Sequence, residues 1–210
     1  ALAEELNVVI NMHHYDPLFE SPDEHADRFV AIWEQIAARY KDRPQGLYLE
    51  LLNEPHGNLD AARWNRLMVR TLEAVRAIDP YHTVIVGGAD WGSIDGLRTL
   101  ILPEETTNLI VTFHYYEPFL FTHQGAEWVG PEIGTTSVVW PGPPEVPIEP
   151  VPEALKAEWV HMWFNRYNQA GPTHNPAGPG PIERAFDQAA AWRDSHGVPL
   201  WLGEFGAYST

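Results

Sequence analysis

Short apolar runs that alternate with longer amphipathic stretches place the strongest constraint on how this chain folds. Five such runs predict strands, over residues 7–12, 47–52, 83–86, 108–113 and 198–202. Strands that are almost wholly apolar and are separated by helices are typical of a parallel sheet covered by helices. The sequence therefore predicts an α/β protein.

Helix signals lie between the predicted strands. Ser21 is expected to cap a helix, with Pro22 at its first position and Glu24 completing a capping box. A second amphipathic helix is expected to end before Pro80, and a third covers roughly residues 182–196. The regular alternation of strand and helix indicates repeated βα units.

Polar or aromatic residues follow each predicted strand at its carboxyl end, which is where a (β/α)₈ barrel carries its catalytic groups. A doubly wound sheet is the alternative, but no glycine-rich phosphate turn follows any strand. We therefore favour the barrel. Because a barrel needs eight strands and about 250 residues, five strands in 210 residues predict an incomplete barrel with open sheet edges.

The composition narrows the classes of partner. Lys and Arg number 13 and Asp and Glu number 29, a net charge of −16, which disfavours nucleic acids and anionic membrane surfaces. Cysteine is absent, which excludes disulfides, thiolate metal sites and cysteine nucleophiles. No run approaches the ~20 apolar residues of a membrane-spanning helix.

The segment at about 118–181 does not continue the alternation of strands and helices. It holds 12 of the 19 prolines and one clear helix, predicted over roughly 153–169. Because connections this long usually serve binding, we interpret the segment as a Pro-rich insertion that forms a fixed cleft wall. It would belong to a single partial barrel domain spanning residues 1–210. A flexible insertion without a binding role is the alternative.

Two glutamates stand at the ends of predicted strands, Glu54 after the second and Glu204 after the fifth. A lone glutamate at a strand end is usually a solvated or ion-paired group. Two carboxyl groups that face one cleft, however, can act as acid and nucleophile. Glu50 shares a strand face with Glu54 and is interpreted as a structural, hydrogen-bonded carboxylate inside the barrel.

His114 and Tyr116 are two residues apart and therefore leave their strand on the same side. They could orient a catalytic carboxylate and bind a sugar hydroxyl, or they could form an ordinary hydrogen-bonded pair at the barrel rim. A zinc site is a competing interpretation, but the rim residues lack His-x-His and His-x-x-x-His spacing.

Six of the nine tryptophans divide into two groups. Those outside the strand and helix patterns are predicted to be exposed and could stack on sugar rings: Trp91, Trp128 and Trp140. Those within helical patterns are predicted to be core residues: Trp33, Trp64 and Trp192.

Four strand-end motifs, taken together and in order, resemble glycoside hydrolase family 5, the cellulase family. They are His13-His14, Asn53-Glu54-Pro55, His114-x-Tyr116 and Gly203-Glu204-Phe205-Gly206. The resemblance covers essentially the whole chain, and His14, His123 and Trp128 look like substrate-contacting positions of the thermophilic endoglucanase and mannanase branch. It implies a TIM barrel of which this chain holds strands three to seven, with strands one, two and eight missing.

The resemblance also implies an activity. The reaction would be retaining, endo-acting hydrolysis of β-1,4-glucan (cellulose-type) chains by double displacement, with mannan as a candidate side substrate. Glu54 would be the general acid/base and Glu204 the nucleophile. The candidate substrate-binding residues are His13, His14, Asn53, Trp91, His114, Tyr116, His123 and Trp128.

Under the same resemblance no metal or organic cofactor is implied, and the location is secreted or extracellular. The partner would be a β-linked polysaccharide or oligosaccharide. Two other functions stay open: a carbohydrate-binding barrel without hydrolytic activity, and a metal-dependent barrel hydrolase.

Overall fold

The computed structural model describes residues 1–208, which form two compact units. The first unit comprises Ala1–His114 and Ala191–Gly203, and the second comprises Tyr115–Ala190 and the chain from Glu204 onward. Each unit has its own buried residues.

The secondary structure follows the predicted alternation. The strands are β1 (Val8–Asn11), β2 (Leu47–Glu50), β3 (Thr83–Gly87), β4 (Leu109–Tyr115) and β5 (Leu200–Phe205). The helices are α1 (Asp16–Glu20), α2 (Pro22–Tyr40), α3 (Ala61–Ile78), α4 (Ile94–Leu97), α5 (Phe119–Thr122), α6 (Glu158–Gln169) and α7 (Pro179–His196). Three short 3₁₀ turns cover Leu2–Glu4, Pro131–Ile133 and Ala154–Lys156. None of the helices within residues 1–208 has the length and apolarity needed to cross a bilayer.

The five strands form one parallel sheet in the order β1-β2-β3-β4-β5. Val8 pairs with Leu47 and Val84 with Leu109, and the Val111 amide donates to the Pro199 carbonyl oxygen at 2.9 Å just before β5. A doubly wound sheet reverses its strand order at one point, whereas this order follows the chain throughout. The prediction of an incomplete (β/α)₈ barrel is confirmed.

Two fully buried tryptophans fix α2 and α3 to the sheet. The Trp33 indole N–H donates to the Leu51 carbonyl oxygen at 2.9 Å, and the Trp64 N–H donates to that of Gly87 at 2.8 Å. Each indole thus buries a large apolar area and has its one polar group satisfied. Their prediction as core residues is confirmed.

The prediction that Trp192 is a core residue is wrong. Its side chain is only partly buried and stacks on His196 of the same helix, with ring centroids 4.1 Å apart. The helical pattern identifies one face of α7, but it does not say how much of that face the rest of the chain covers. The exposed positions predicted for Trp91, Trp128 and Trp140 are confirmed.

Two predictions about where helices and strands begin and end differ from the structure. Ser21 is the N-cap of α2 and Pro22 its first residue, as predicted, but the Ser21 side chain makes no capping hydrogen bond. Instead the Glu24 amide donates to the Ser21 backbone carbonyl oxygen at 3.2 Å, so the predicted capping box does not form. Strand β5 extends through Glu204, which therefore lies within the strand and not after it.

The Pro-rich segment contributes a separate core to the second unit. Its buried cluster includes Val138, Val160, Phe164 and Tyr167. The Tyr167 hydroxyl accepts from the Val139 amide at 2.8 Å and donates to the Val139 carbonyl oxygen at 3.0 Å. Its helix, α6, begins at Glu158, after the 3₁₀ turn. The role of the segment as a cleft wall stays a prediction.

Candidate active site

Glu54 lies in the first unit, four residues after β2 ends. The chain between them keeps sheet-like hydrogen bonds, because the Leu51 amide donates to the Ile85 carbonyl oxygen at 3.1 Å and the Asn53 amide donates to that of Met12 at 3.0 Å. At Glu54 the backbone turns into the left-handed region, with φ 48°. This turn follows directly on a stretch of backbone that both neighbouring strands hold in place.

The Glu54 carboxylate contacts a buried histidine. Nδ1 of His114 lies 2.8 Å from Oε1 of Glu54, and the imidazole is almost fully buried whereas the carboxylate is partly exposed. An imidazole N–H that faces a carboxylate fixes its orientation through a charge-assisted hydrogen bond. Glu50, further back on β2, accepts a hydrogen bond from Asn11 Nδ2 at 3.2 Å and is buried. The prediction of a structural, hydrogen-bonded carboxylate is confirmed.

The His114 ring lies in a slot between two glycines. A methyl group on Gly92 would lie 3.6 Å from Cγ of His114, and one on Gly203 would lie 3.3 Å from its Nε2. The Gly203 methyl would also lie 2.5 Å from Thr112 Oγ1, a steric clash that one of the two groups would have to move to relieve. The missing side chain at Gly203 is therefore what allows His114 and Thr112 to occupy their positions beside β5.

We expect Gly203→Ala to lower kcat by about tenfold or more, because the new methyl must displace Thr112 and shift the imidazole that holds Glu54. Overpacking of this kind also costs about 1–3 kcal/mol of unfolding free energy. Steady-state kinetics and denaturant unfolding of the same variant measure the two effects separately.

Gly87→Ala is the matched control, because its methyl would meet Thr112 Cγ2 at 3.3 Å and would have no atom of His114 within 4 Å. It crowds the same threonine and should leave kcat within about twofold. If the two variants lose kcat equally, crowding of the sheet explains the effect and the glycine slot does not.

The second unit holds Glu204, whose Oε2 accepts a hydrogen bond from the Tyr116 hydroxyl at 2.9 Å. Tyr116 follows β4 directly, so a residue just beyond the end of one strand contacts a residue near the end of another. Burial, with a smaller contribution from the nearby Glu117 charge, raises the pKa of the neighbouring Tyr115 to about 12. Tyr115 therefore stays a neutral phenol throughout the working pH range of ordinary enzymes.

Aromatic residues of the second unit surround His123. Its ring stacks on Phe119 at 4.0 Å and meets Tyr116 edge-on at 5.4 Å. The ring centroid of Trp128 lies 6.5 Å from that of His123, and Trp128 is 67% exposed. The Tyr208 ring packs edge-on against Trp128, with centroids 4.9 Å apart. The exposed indole offers an apolar face of the kind that sugar rings stack on.

The other predicted binding residues lie in the first unit. His13 and His14 are both exposed and contact each other edge-on at 4.6 Å. Asn53 is buried, and its side-chain oxygen Oδ1 has no hydrogen-bond partner among residues 1–208. A buried acceptor without a partner costs free energy unless a ligand satisfies it.

Trp91 is 55% exposed, and one additional residue, His56, lies against it. The two rings are nearly parallel, 10° apart with centroids at 3.5 Å, and the Trp91 backbone is left-handed at φ 59°. His56 could not be identified from the sequence, because a histidine in a loop carries no periodic signal and its partner is 35 positions away.

The metal-dependent alternative has only partial support within the first unit. The Glu54–His114 pair offers one carboxylate oxygen and one imidazole nitrogen, whereas a catalytic zinc site uses three protein ligands. A metal would therefore need at least one further donor.

Comparisons with known proteins agree on one family. The family model described as cellulase (glycosyl hydrolase family 5) matches residues 1–210. Endoglucanase H of Acetivibrio thermocellus is 29% identical over 197 residues, which are 94% of this chain and 17% of that protein. Endoglucanase C of the same organism is 30% identical over 212 residues, which are 96% of this chain and 58% of that protein.

Solved structures give the same result. The crystal structure of endoglucanase Cel5A from Thermotoga maritima matches with 41% identity and a TM-score of 0.78, covering 99% of this chain and 57% of that one. A hyperthermophilic endo-beta-1,4-glucanase in complex with substrate matches with 35% identity and a TM-score of 0.78, covering 100% of this chain and 56% of that one. The chain thus spans little more than half the length of these structures.

Proposed function

Because this chain belongs to the cellulase family, glycosyl hydrolase family 5, we propose that it carries the reacting groups of a retaining endo-β-1,4-glucanase. The observation that carries the proposal is the pairing of each candidate carboxylate with its own partner, Glu54 with His114 and Glu204 with Tyr116. Two carboxyl groups in different environments can take the two different roles that retaining hydrolysis requires.

In the first step Glu204 attacks the anomeric carbon and forms a glycosyl ester, while the bond to the leaving sugar breaks. Glu54 gives its proton to the departing oxygen. In the second step Glu54, now ionised, takes a proton from water, and the water oxygen displaces Glu204 from the same carbon. Two inversions give net retention, and Glu54 ends the cycle protonated.

The partners of the two carboxylates fit these roles. The Tyr116 hydroxyl donates to Oε2 of Glu204, which orients the carboxylate for attack. His114 holds Oε1 of Glu54, so the other oxygen is left to face the leaving group. His114 would stabilise Glu54 most when it is ionised, after it has given up its proton.

The substrate-binding residues would act on the sugar chain. The unpartnered Oδ1 of buried Asn53 would accept a hydrogen bond from the hydroxyl next to the reacting carbon. His13, His14 and His123 would bind further hydroxyls, and Trp91 and Trp128 would stack on ring faces. The 2-hydroxyl is where glucose and mannose differ, so Asn53 would govern discrimination between the two.

We infer β-1,4-glucan as the main substrate and mannan as a second one. The relatives are named endoglucanases, and Thermotoga maritima Cel5A has been crystallised with cellobiose and with mannotriose. A polymer of this size cannot enter a cell, so we infer that the enzyme acts outside the cell.

The test is the hydrolysis of cellopentaose by the full-length enzyme, followed by proton NMR from the first minutes. Initial appearance of the β-anomer, with a rapid fall in the viscosity of soluble cellulose derivatives, is expected for retaining endo-action. The α-anomer appearing first would exclude the double displacement. Binding without hydrolysis would favour a binding module, and loss of activity in chelator would favour a metal-dependent hydrolase.

A further inference from the structure

Three aromatic rings of the first unit form a stack that ends at an exposed indole. Phe19 of α1 is buried, and its ring lies 4.1 Å from that of His56 at an angle of 35°. His56 in turn lies 3.5 Å from Trp91, at an angle of 10°. The imidazole is therefore the middle layer between a core phenylalanine and the proposed sugar-binding surface.

The same imidazole also contacts the backbone of the proposed acid/base. Nδ1 of His56 lies 2.6 Å from the Glu54 carbonyl oxygen, and a carbonyl oxygen only accepts, so Nδ1 carries the proton and donates. The bond ends on the carbonyl group of the residue at which the backbone is left-handed, Glu54 at φ 48°. It therefore restrains the peptide group that sets where the Glu54 carboxyl points.

The loop that carries His56 is anchored independently of the site. The Asn58 amide donates to the Phe19 carbonyl oxygen at 2.9 Å, and Asn58 Nδ2 donates to that of Glu20 at 2.8 Å. Gly57 is left-handed at φ 66°, and a methyl group there would meet the Phe19 carbonyl oxygen at 3.3 Å. The position of His56 is thus fixed by α1.

We propose that His56 is a positioning residue with two separable actions: its ring supports the Trp91 indole from behind, and its Nδ1–H fixes the backbone of Glu54. The inference rests on the proposed function, in which Trp91 binds a sugar ring and Glu54 is the acid/base. Ring support acts on substrate affinity, and the hydrogen bond acts on the chemical step.

Two substitutions separate these actions. His56→Phe keeps a ring between Phe19 and Trp91 but removes the donor, so we expect kcat to fall about tenfold with KM within twofold of wild type. His56→Asn keeps a donor but removes the ring. We expect its KM to rise about five- to tenfold with kcat within twofold of wild type.

His196 supplies matched controls in the same unit. It stacks on Trp192 with ring centroids 4.1 Å apart, and its Nδ1 lies 2.8 Å from the Trp192 carbonyl oxygen, so it reproduces both kinds of contact on α7. His196→Phe and His196→Asn should leave kcat and KM within twofold. Melting temperatures of all four variants show how much of any change is loss of fold.

The role of His56 in binding can be tested independently of hydrolysis. The Kd of cellotetraose is measured by calorimetry in variants that also carry Glu204→Gln. There, His56→Asn should weaken binding five- to tenfold and His56→Phe should not. This difference in Kd would show that the His56 ring holds Trp91 in place, even if the chain fails to hydrolyse glucan. If both substitutions change kcat, KM and Kd alike, or lower only the melting temperature, the inference is wrong.

Discussion

Replacing Glu204 with glutamine should lower kcat on cello-oligosaccharides by about 10⁴- to 10⁶-fold, the usual cost of removing a nucleophile. The amide has the same shape, and its oxygen still accepts from the Tyr116 hydroxyl, so the fold should be unchanged. A carboxamide, however, does not form the glycosyl ester on which the double displacement depends.

Two measurements check this assignment. Glu204→Gly removes the carboxyl group and leaves space, and azide added to it should restore turnover and give an α-glycosyl azide, because azide attacks from the face that Glu204 occupies. Glu117→Gln is the control, since Glu117 accepts from the Phe119 amide and has no proposed role in catalysis. Wild-type turnover by Glu204→Gln would exclude Glu204 as the nucleophile.

The second large effect is expected from Glu54→Ala, which should lower kcat on cellopentaose by about 10²- to 10⁴-fold, the contribution of a general acid/base. The loss should depend on the leaving group. A dinitrophenyl β-cellobioside needs no proton to depart, so its first step should survive and give a burst of phenolate followed by slow turnover.

Azide rescue gives a further check on Glu54. Azide should speed the second step and yield a β-glycosyl azide, the opposite anomer to that from Glu204→Gly. The α-azide as product would reassign the acid to another residue.

Much of the fold could be predicted because interior parallel strands must be apolar on both faces. That requirement marks the five runs that became β1 to β5. The strand ends were less predictable, because β4 continues to Tyr115 and β5 to Phe205, through His114 and Glu204, which are not apolar. Pairing with a neighbouring strand extends them, and pairing is not a local property.

The site shows the same limit. Glu54 and Glu204 could be identified because strand ends and short motifs are local in sequence. The stack of Phe19, His56 and Trp91 could not, because it joins three loops or helix ends that only the folded chain brings together. The capping box at Ser21 failed for a related reason: the sequence pattern permits the side-chain bond, but a backbone bond replaced it.

Trp91 is expected to contribute little to the stability of the fold, because its backbone is left-handed. For a residue with a bulky side chain this conformation costs about 1–2 kcal/mol, comparable to the ~0.5–1.5 kcal/mol that an aromatic stack contributes. Trp91→Gly should therefore change the unfolding free energy by only about 1 kcal/mol, against the ~3–5 kcal/mol of an ordinary buried tryptophan. Chemical denaturation measures this directly, and a loss near 4 kcal/mol would contradict it.

Glycine is therefore the near-neutral replacement at position 91, because it relieves the left-handed strain as it removes the stack. Most other side chains would keep that strain and lose the stack on His56, so a library screened here for new polysaccharide preferences would need a compensating stabilising mutation of about 1 kcal/mol.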